Sequence, residues 1–347
     1  MTGRSVHVLS QYLWPDDAPT GIYAEQLADS LAVAGADVRL VGGQGRYRQG
    51  RRRAPRTDIA HVAHYEGRRG RLLSTAREYE SVREAFASYI RRQVRAGDIV
   101  IITSAPPTTL FLHRAIRAQG AVGVYWLQDY YPQLIRGVWD APGFLRRILD
   151  RLWTRELRAW PHVVKAAGNL GYSGANAVVI RNWNTLELGA PIAARPRTAL
   201  YSGNLGWGHD LPSFIDLCQG LQEKGYEITV RGDGPGMTQL PAWIRTAPPV
   251  VEPEELVRSY WEAEVHLVAG HPRFPDAVFP SKFWNARATG RPVLASGFSG
   301  VMAEELEAAR TSDYRAHLVQ WTRLVVSLLD QPSKPARGRG ESGRDAH

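Results

Sequence analysis

Short apolar runs alternate with amphipathic stretches along most of the chain. Val6, Val8 and Leu9 open a strand over residues 6–9, followed by a helix over 22–34 with Ile22, Leu27, Leu31 and Ala34 at helical spacing. Strands are predicted at 37–41, 98–103 and 123–127, and helices at 81–95 and 108–119. Residues 142–160 read as a long basic helix whose Phe144, Ile148, Leu149, Leu152, Leu157 and Trp160 alternate with arginines. Short strands follow near Val163 and Val178. This strand-helix alternation implies a mostly parallel sheet covered on both faces.

Residues 181–185 and 191–196 are rich in turn formers and read as a linker. A second alternating unit then begins. Its strands are expected at 199–202, 227–231, 265–268 and 292–295, and its helices at 211–224, 252–261 and 282–289. An amphipathic helix over 314–329 and a polar, basic tail complete the chain. The expected organisation is an N-terminal Rossmann-like domain over 1–185, a second over 197–313, a helix over 314–330 crossing back to the first, and a disordered tail over 331–347.

Composition changes this picture little. The chain has 347 residues, long enough for two α/β domains. One cysteine, Cys218, excludes an internal disulfide framework and fits a reducing compartment. No run approaches ~18 consecutive apolar residues, and the first apolar run is too short for a signal peptide. A cytoplasmic location is therefore expected, with a peripheral place at the inner face of the membrane as its variant. The formal charge of +9 favours anionic partners. Eleven tryptophans could offer aromatic faces to a sugar or simply fill the core.

The candidate chemistry lies in glycine-rich turns at predicted strand ends. Gly203-Asn-Leu-Gly206 and Gly232-Asp-Gly-Pro235 let backbone N–H groups approach a phosphate. Pro280-Ser281-Lys282 opens a helix, where proline suits the first turn. Free N–H groups, the Ser281 hydroxyl and the Lys282 ammonium would there bind a diphosphate and stabilise it as a leaving group. Asp129, after a strand, is the carboxylate candidate for the chemistry and equally a helix N-cap. His266 and His271 lack the companions of a metal site, so no metal is expected.

The stretch from Phe279 through Pro280, Ser281 and Lys282 to Ala295 resembles the nucleotide-binding segment of family 4 glycosyltransferases. It looks most like the subgroup of bacterial N-acetylfucosaminyl- and colanic-acid-type transferases. Further segments match in order: Ser10-Gln-Tyr-Leu-Trp-Pro15, Thr103-Ser-Ala-Pro-Pro107, Leu127-Gln-Asp-Tyr-Tyr-Pro132, Val179-Ile-Arg-Asn-Trp183 and Tyr201-Ser-Gly-Asn-Leu-Gly206. The resemblance implies the GT-B fold, two Rossmann-like domains facing across a cleft, with the donor mainly on the second. It implies a retaining, metal-independent transfer from a nucleotide sugar, with a UDP-sugar as first choice and no other cofactor. The leaving phosphate would then help deprotonate the acceptor. Gly203, Asn204, Gly206, Gly232, Gly234, Pro280, Ser281, Lys282 and Asn285 are the expected donor residues. Asp129 and Lys282 are the expected catalytic pair. The acceptor, lipid-linked or a small molecule, is expected at the loop holding Trp14, Asp16, Thr20 and Gly21.

Two departures stand out. Where the family carries two glutamates around this segment, the chain has Ala277 and Asn285. Asn285 can bond a ribose hydroxyl but without a carboxylate's charge. The chain is also shorter than the family between Val164 and Val178, and between Ala295 and Tyr314. The helix over 142–160 and the loop over 45–56 form a basic surface that fits either anionic lipid or ordinary packing. Two other functions compete: a nucleotide-sugar epimerase on the same fold, and a nucleic-acid binder using the arginines of 46–56.

Overall fold

The computed structural model describes residues 3–43, 54–66, 72–138, 142–206, 208–250 and 252–331. The basic segment 46–53 and the tail beyond 331 lie outside the described residues. The N-terminal sheet consists of β1 (Ser5–Ser10), β2 (Asp37–Gly42), β3 (Ile59–His61), β4 (Ile99–Thr103), β5 (Val122–Leu127), β6 (His162–Lys165) and β7 (Ala177–Val179). Its seven parallel strands run in the order β3-β2-β1-β4-β5-β6-β7. All five residues of β4 are buried, as suits a central parallel strand covered on both faces. Helices α1 (Pro19–Val33), α2 (Leu72–Gln93), α3 (His113–Ala118), α4 (Tyr131–Val138) and α5 (Gly143–Arg158) belong to this domain.

The second sheet contains β8 (Arg195–Ser202), β9 (Glu227–Arg231), β10 (Arg245–Ala247), β11 (Ala263–Ala269) and β12 (Val293–Ser296). These five strands are parallel, in the order β10-β9-β8-β11-β12. The accompanying helices are α6 (Leu211–Gln222), α7 (Pro253–Glu262), α8 (Lys282–Ala288) and α9 (Gly300–Thr311). Helix α9 fills the region that sequence comparison marks as shortened. A last helix, α10 (Tyr314–Asp330), lies on the N-terminal domain. Its Trp321, Val325 and Leu328 join that domain's core, and the Trp321 ring lies 4.6 Å from Trp126. Arg4 holds the end of α10 through the carbonyls of Leu329 and Gln331, at 2.8 and 2.7 Å.

Tryptophan is mainly a core residue here. Trp126, Trp153, Trp160, Trp183, Trp261, Trp284 and Trp321 are all buried. Among the described tryptophans only Trp14 and Trp243 reach the surface, each 37% exposed.

The two domains are joined by more than the linker. The loop between β11 and α8 is strapped onto the N-terminal domain. Tyr130 donates its N–H to Ala277 O at 2.7 Å, and Gly171 to Asp276 O at 2.9 Å. The Asn169 amide donates to the carbonyls of Pro275 and Val278, both at 2.9 Å. Arg181, at the start of the linker, forms a two-pronged pair with Glu305 of α9 at 2.7 and 3.0 Å. Such bidentate, largely buried pairs fix orientation as well as adding energy.

Candidate functional site

In an open parallel sheet, ligands sit beyond the carboxyl ends of the strands where the strand order reverses. In the second sheet that point falls between β8 and β11. The turn after β8 is Gly203–Gly206, and the loop after β11 leads to Pro280-Ser281-Lys282. The turn after β9, Gly232–Gly236, lies beside the first. Leu205 donates to Asp233 O at 2.8 Å and Gly236 to Leu205 O at 2.9 Å, so the two turns brace each other.

Glycine is needed at this contact. Gly203, Gly232 and Gly234 have φ of 138°, 154° and 104°. A Cβ on Gly232 would stand 1.9 Å from the Gly203 carbonyl oxygen. Backbone cannot retreat there as a flexible side chain would. Gly232→Ala is expected to cost at least about 2 kcal/mol, combining a backbone clash with a φ that L-residues avoid. A urea midpoint unchanged from wild type would contradict this.

Lys282 lies across the first turn. Its Cε occupies the space beside Gly203 that a side chain would take, 1.9 Å from the ideal Cβ position. The ammonium sits 5.5 Å above the Tyr201 ring and donates to Asn204 O at 3.4 Å. That carbonyl also accepts from the Tyr201 hydroxyl at 2.7 Å. Lys282 is half-buried, and desolvation pulls its ammonium down to about 8 against the attraction of Asp233. His209, next to it, is pushed down to about 4 by burial and by the Lys282 charge. Its Nδ1 accepts the Gly206 N–H at 3.0 Å. The turn therefore holds one cation and a neutral imidazole.

The helix start is tighter than the sequence implies. Phe283 donates to Pro280 O at 3.1 Å and Trp284 to Ser281 O at 3.2 Å. The N–H groups of Ser281 and Lys282 take no acceptor among the described residues. The anion-binding capacity of this turn therefore narrows to those two donors and the side chains of Ser281 and Lys282.

Asn285 has a different set of partners from those expected. Its Oδ1 accepts the Thr185 N–H at 2.7 Å and the Thr185 hydroxyl at 3.2 Å. The buried Tyr260 hydroxyl reaches both Asn285 and Ser202. Asn285 thus ties α8 to the linker and to α7, and its amide oxygen is already spent. A ribose hydroxyl could meet only the amide nitrogen. Thr185, Tyr201, His209 and Tyr260 all touch this site, and sequence reasoning missed them. Thr185 pairs with Asn285 across a hundred residues, and the others are single hydroxyls or an imidazole whose residue type alone carries no local signature.

In the N-terminal sheet the strand order reverses between β1 and β4. The Ser104 hydroxyl, after β4, accepts the N–H groups of Gln128 and Asp129 at 3.0 and 3.2 Å. This locks the turn after β5. The Asp129 carboxyl has no hydrogen-bond partner among the described residues, and burial pushes it up to about 6. Its charge also helps raise the hydroxyls of Tyr79, Tyr125 and Tyr131 above the ordinary tyrosine value. Asp129 is adjacent to Tyr130, whose N–H meets Ala277 in the strap, so the Asp129 turn and the run-up to Lys282 are in contact.

The expected acceptor loop follows β1. Trp14 is exposed and Thr20 half-buried, so both are reachable. Asp16 is buried, 1% exposed, and presents no surface to a ligand. Gly21 is buried too: a Cβ there would lie 1.7 Å from Tyr12 O. Close approach of α1 to the loop, rather than ligand contact, accounts for that glycine.

No model of a known protein family matches the chain, and no curated protein sequence matches it. Solved structures do match along nearly its whole length. An alpha,alpha-trehalose-phosphate synthase (UDP-forming) from Burkholderia xenovorans, in complex with glucose-6-phosphate, aligns with a TM-score of 0.59 at 11% identity, covering 94% of this chain and 93% of that one. OtsA in its apo form gives 0.58 at 11% identity over 95% of this chain and 100% of that one. The lipopolysaccharide outer core galactosyltransferase WaaB, also apo, gives 0.54 at 12% identity over 94% and 96%. With two parallel sheets and this likeness over nearly the full length, the chain has the GT-B fold: two Rossmann-like domains facing across a cleft.

Proposed function

We propose that this chain is a glycosyltransferase that takes a sugar from a nucleotide sugar, with a UDP-sugar as first choice. The observation that carries the reading is Lys282. It is a half-buried ammonium laid across two interlocked glycine turns at a sheet's switch point. A diphosphate is the group that such a place fits: backbone N–H donors and a close cation whose described hydrogen bond is to a carbonyl. Lys282 stabilises charge on the diphosphate as the glycosidic bond breaks. Asp129, in contact through the strap, orients or deprotonates the incoming hydroxyl. Transfer with retention and without metal is part of the proposal, as is an acceptor seated near Trp14 and Thr20.

The test is a thermal-shift panel of UDP-, GDP- and dTDP-sugars on wild type and Lys282→Ala. Stabilisation of the wild type by one nucleotide class, lost in the variant, supports the reading. If no nucleotide stabilises the wild type, the donor site is not where we place it.

A lipid-linked acceptor has its own support in α5. The inner face of this helix packs through Trp153 and Leu157, and Glu156 is gripped by His113 and Arg155 at 2.8 and 2.7 Å. The outer face presents Phe144 and Ile148, 64% and 56% exposed, among Arg147, Arg151 and Arg155. Apolar side chains set among arginines suit an anionic lipid surface, where each cation adds about 1 kcal/mol. The protein is expected to sediment with vesicles containing anionic lipid and not with neutral ones. Phe144→Ser with Ile148→Ser should weaken this at least about tenfold. Equal sedimentation by the double variant would remove α5 from the interface.

A further inference from the structure

A cavity of about 1070 Å³ opens along the strap. Lys282 and the residues described around it above are not part of its lining. Its walls come from five places: the end of β6 with the loop after it, α4, α5, the strap and the start of α9. Three of them supply a cation, namely Lys165 of β6, Arg146 of α5 and Arg273 of the strap.

Lys165 is the unusual member. It is only 7% exposed, and its ammonium donates to Gly168 O at 2.9 Å. Its other protons find no acceptor among the described residues. Glu305, whose charge reaches this ammonium, is already held by both prongs of Arg181. Burying an ammonium with so few partners is costly, and the desolvation lowers its proton affinity. The acid in the cavity wall, Asp276, takes the Gln133 amide on Oδ2 at 2.7 Å. Among the described lining residues the cations are Lys165, Arg146 and Arg273, and the acid is Asp276.

The start of α9 adds donors. Ser299 stands at the N-cap of α9 with no side-chain cap, and Gly300 has φ of 50°. Met302 is the first residue of the helix whose N–H turns back to bond, to Ser299 O at 3.2 Å. The N–H groups of Gly300 and Val301 take no acceptor among the described residues. These donors come in addition to the buried lysine and the two arginines.

We propose that this cavity is a second anion site, taking a phosphate or diphosphate group carried by a ligand other than the nucleotide sugar. Cations from three separate elements surround a common space, which suits a multivalent oxyanion better than a single carboxylate. The site stands on its own residues and does not depend on the transferase reading.

The test uses the full chain and inorganic pyrophosphate followed by titration calorimetry. Lys282→Ala is the background, so the donor crevice does not contribute. One equivalent should bind, and Arg273→Ala or Arg146→Ala added to that background should weaken it about tenfold each. Lys165→Met should weaken it further. If that buried substitution fails to fold, the two arginine variants decide. In wild type, UDP at saturation should leave the pyrophosphate bound at this cavity in place. No binding to Lys282→Ala, arginine variants within about twofold of their parent, or complete displacement by UDP would each overturn the proposal. A decyl diphosphate arm separates the sources. Tighter binding that Phe144→Ser reduces points to a lipid-borne phosphate, and equal binding to a soluble one; either supports the site. UDP binding itself is scored separately by thermal shift, so failure of the donor assignment is seen apart from failure here.

Discussion

Lys282→Ala is expected to lose UDP-sugar binding by about 10- to 150-fold, the range of a charge-assisted contact of about 1.5–3 kcal/mol. Turnover at saturation should fall a further 10²–10³-fold or so, as when one donor to a developing anion is removed. The two effects separate because, in the proposed role, the ammonium meets the diphosphate in the ground state but gains most when charge builds on it. Lys282→Arg should not rescue. The guanidinium is wider than the methylene stem that now lies over Gly203, and that turn is backed by Gly232 with no room to move. Substitution should also shift the pH response. With the ammonium pulled down to about 8, donor capture falls as pH rises through that value, so kcat/KM should decline on the alkaline side. A variant with wild-type donor affinity and an unchanged alkaline limb would exclude Lys282 from the site.

Asp129→Asn should make a more stable and far less active protein. The Asp129 carboxyl, pushed up to about 6, is ionised at neutral pH against the cost of its burial. A raised carboxyl holds its proton more tightly folded than unfolded. Its penalty is therefore absent below about 3.8, grows as pH rises, and is complete above about 6. Asparagine removes it, for a gain on the order of 1–3 kcal/mol at pH 7.5. Activity should fall by about 10²–10⁴, the usual weight of a positioned acid or base. In wild type the acid limb of kcat/KM should turn near 6, giving a bell with the Lys282 limb. A residue that merely caps a helix would behave oppositely: Asn caps nearly as well, and neither stability nor rate would change much. Denaturant unfolding and steady-state kinetics on the same preparation decide between them.

The fold class was legible because parallel strands buried on both faces read as apolar runs, as in Ile99–Thr103. The edge strands β3 and β10 were not. Ile59–His61 and Arg245–Ala247 are three residues each and only partly buried, so no run or alternation marks them. Helix α2 begins at Leu72 rather than near 81, because its first turns are polar and half-exposed and show little periodicity. The glycine turns were visible as turns, whereas the contact between Gly203 and Gly232 needs the sheet to bring β8 and β9 together. Asn285 shows the limit most plainly. Its residue type suggested a ribose contact, yet its oxygen is committed to Thr185, a hundred positions earlier in the chain. Asp16 lies in the loop after β1 as expected, whereas Gly21 falls in the first turn of α1, and burial removes both from any surface a ligand could reach.

Helix α10 also sets an order of events during synthesis. Trp126 stacks with Trp183 and lies against Trp321, so the core of the first domain is completed by nearly the last helix made. At ordinary ribosomal speeds the wait between those tryptophans is roughly 10 to 40 s. Through that interval the first domain presents an uncovered aromatic face while the second emerges behind it. A chain cut after α9 would keep that face permanently, and would be a chaperone client rather than a smaller folded protein.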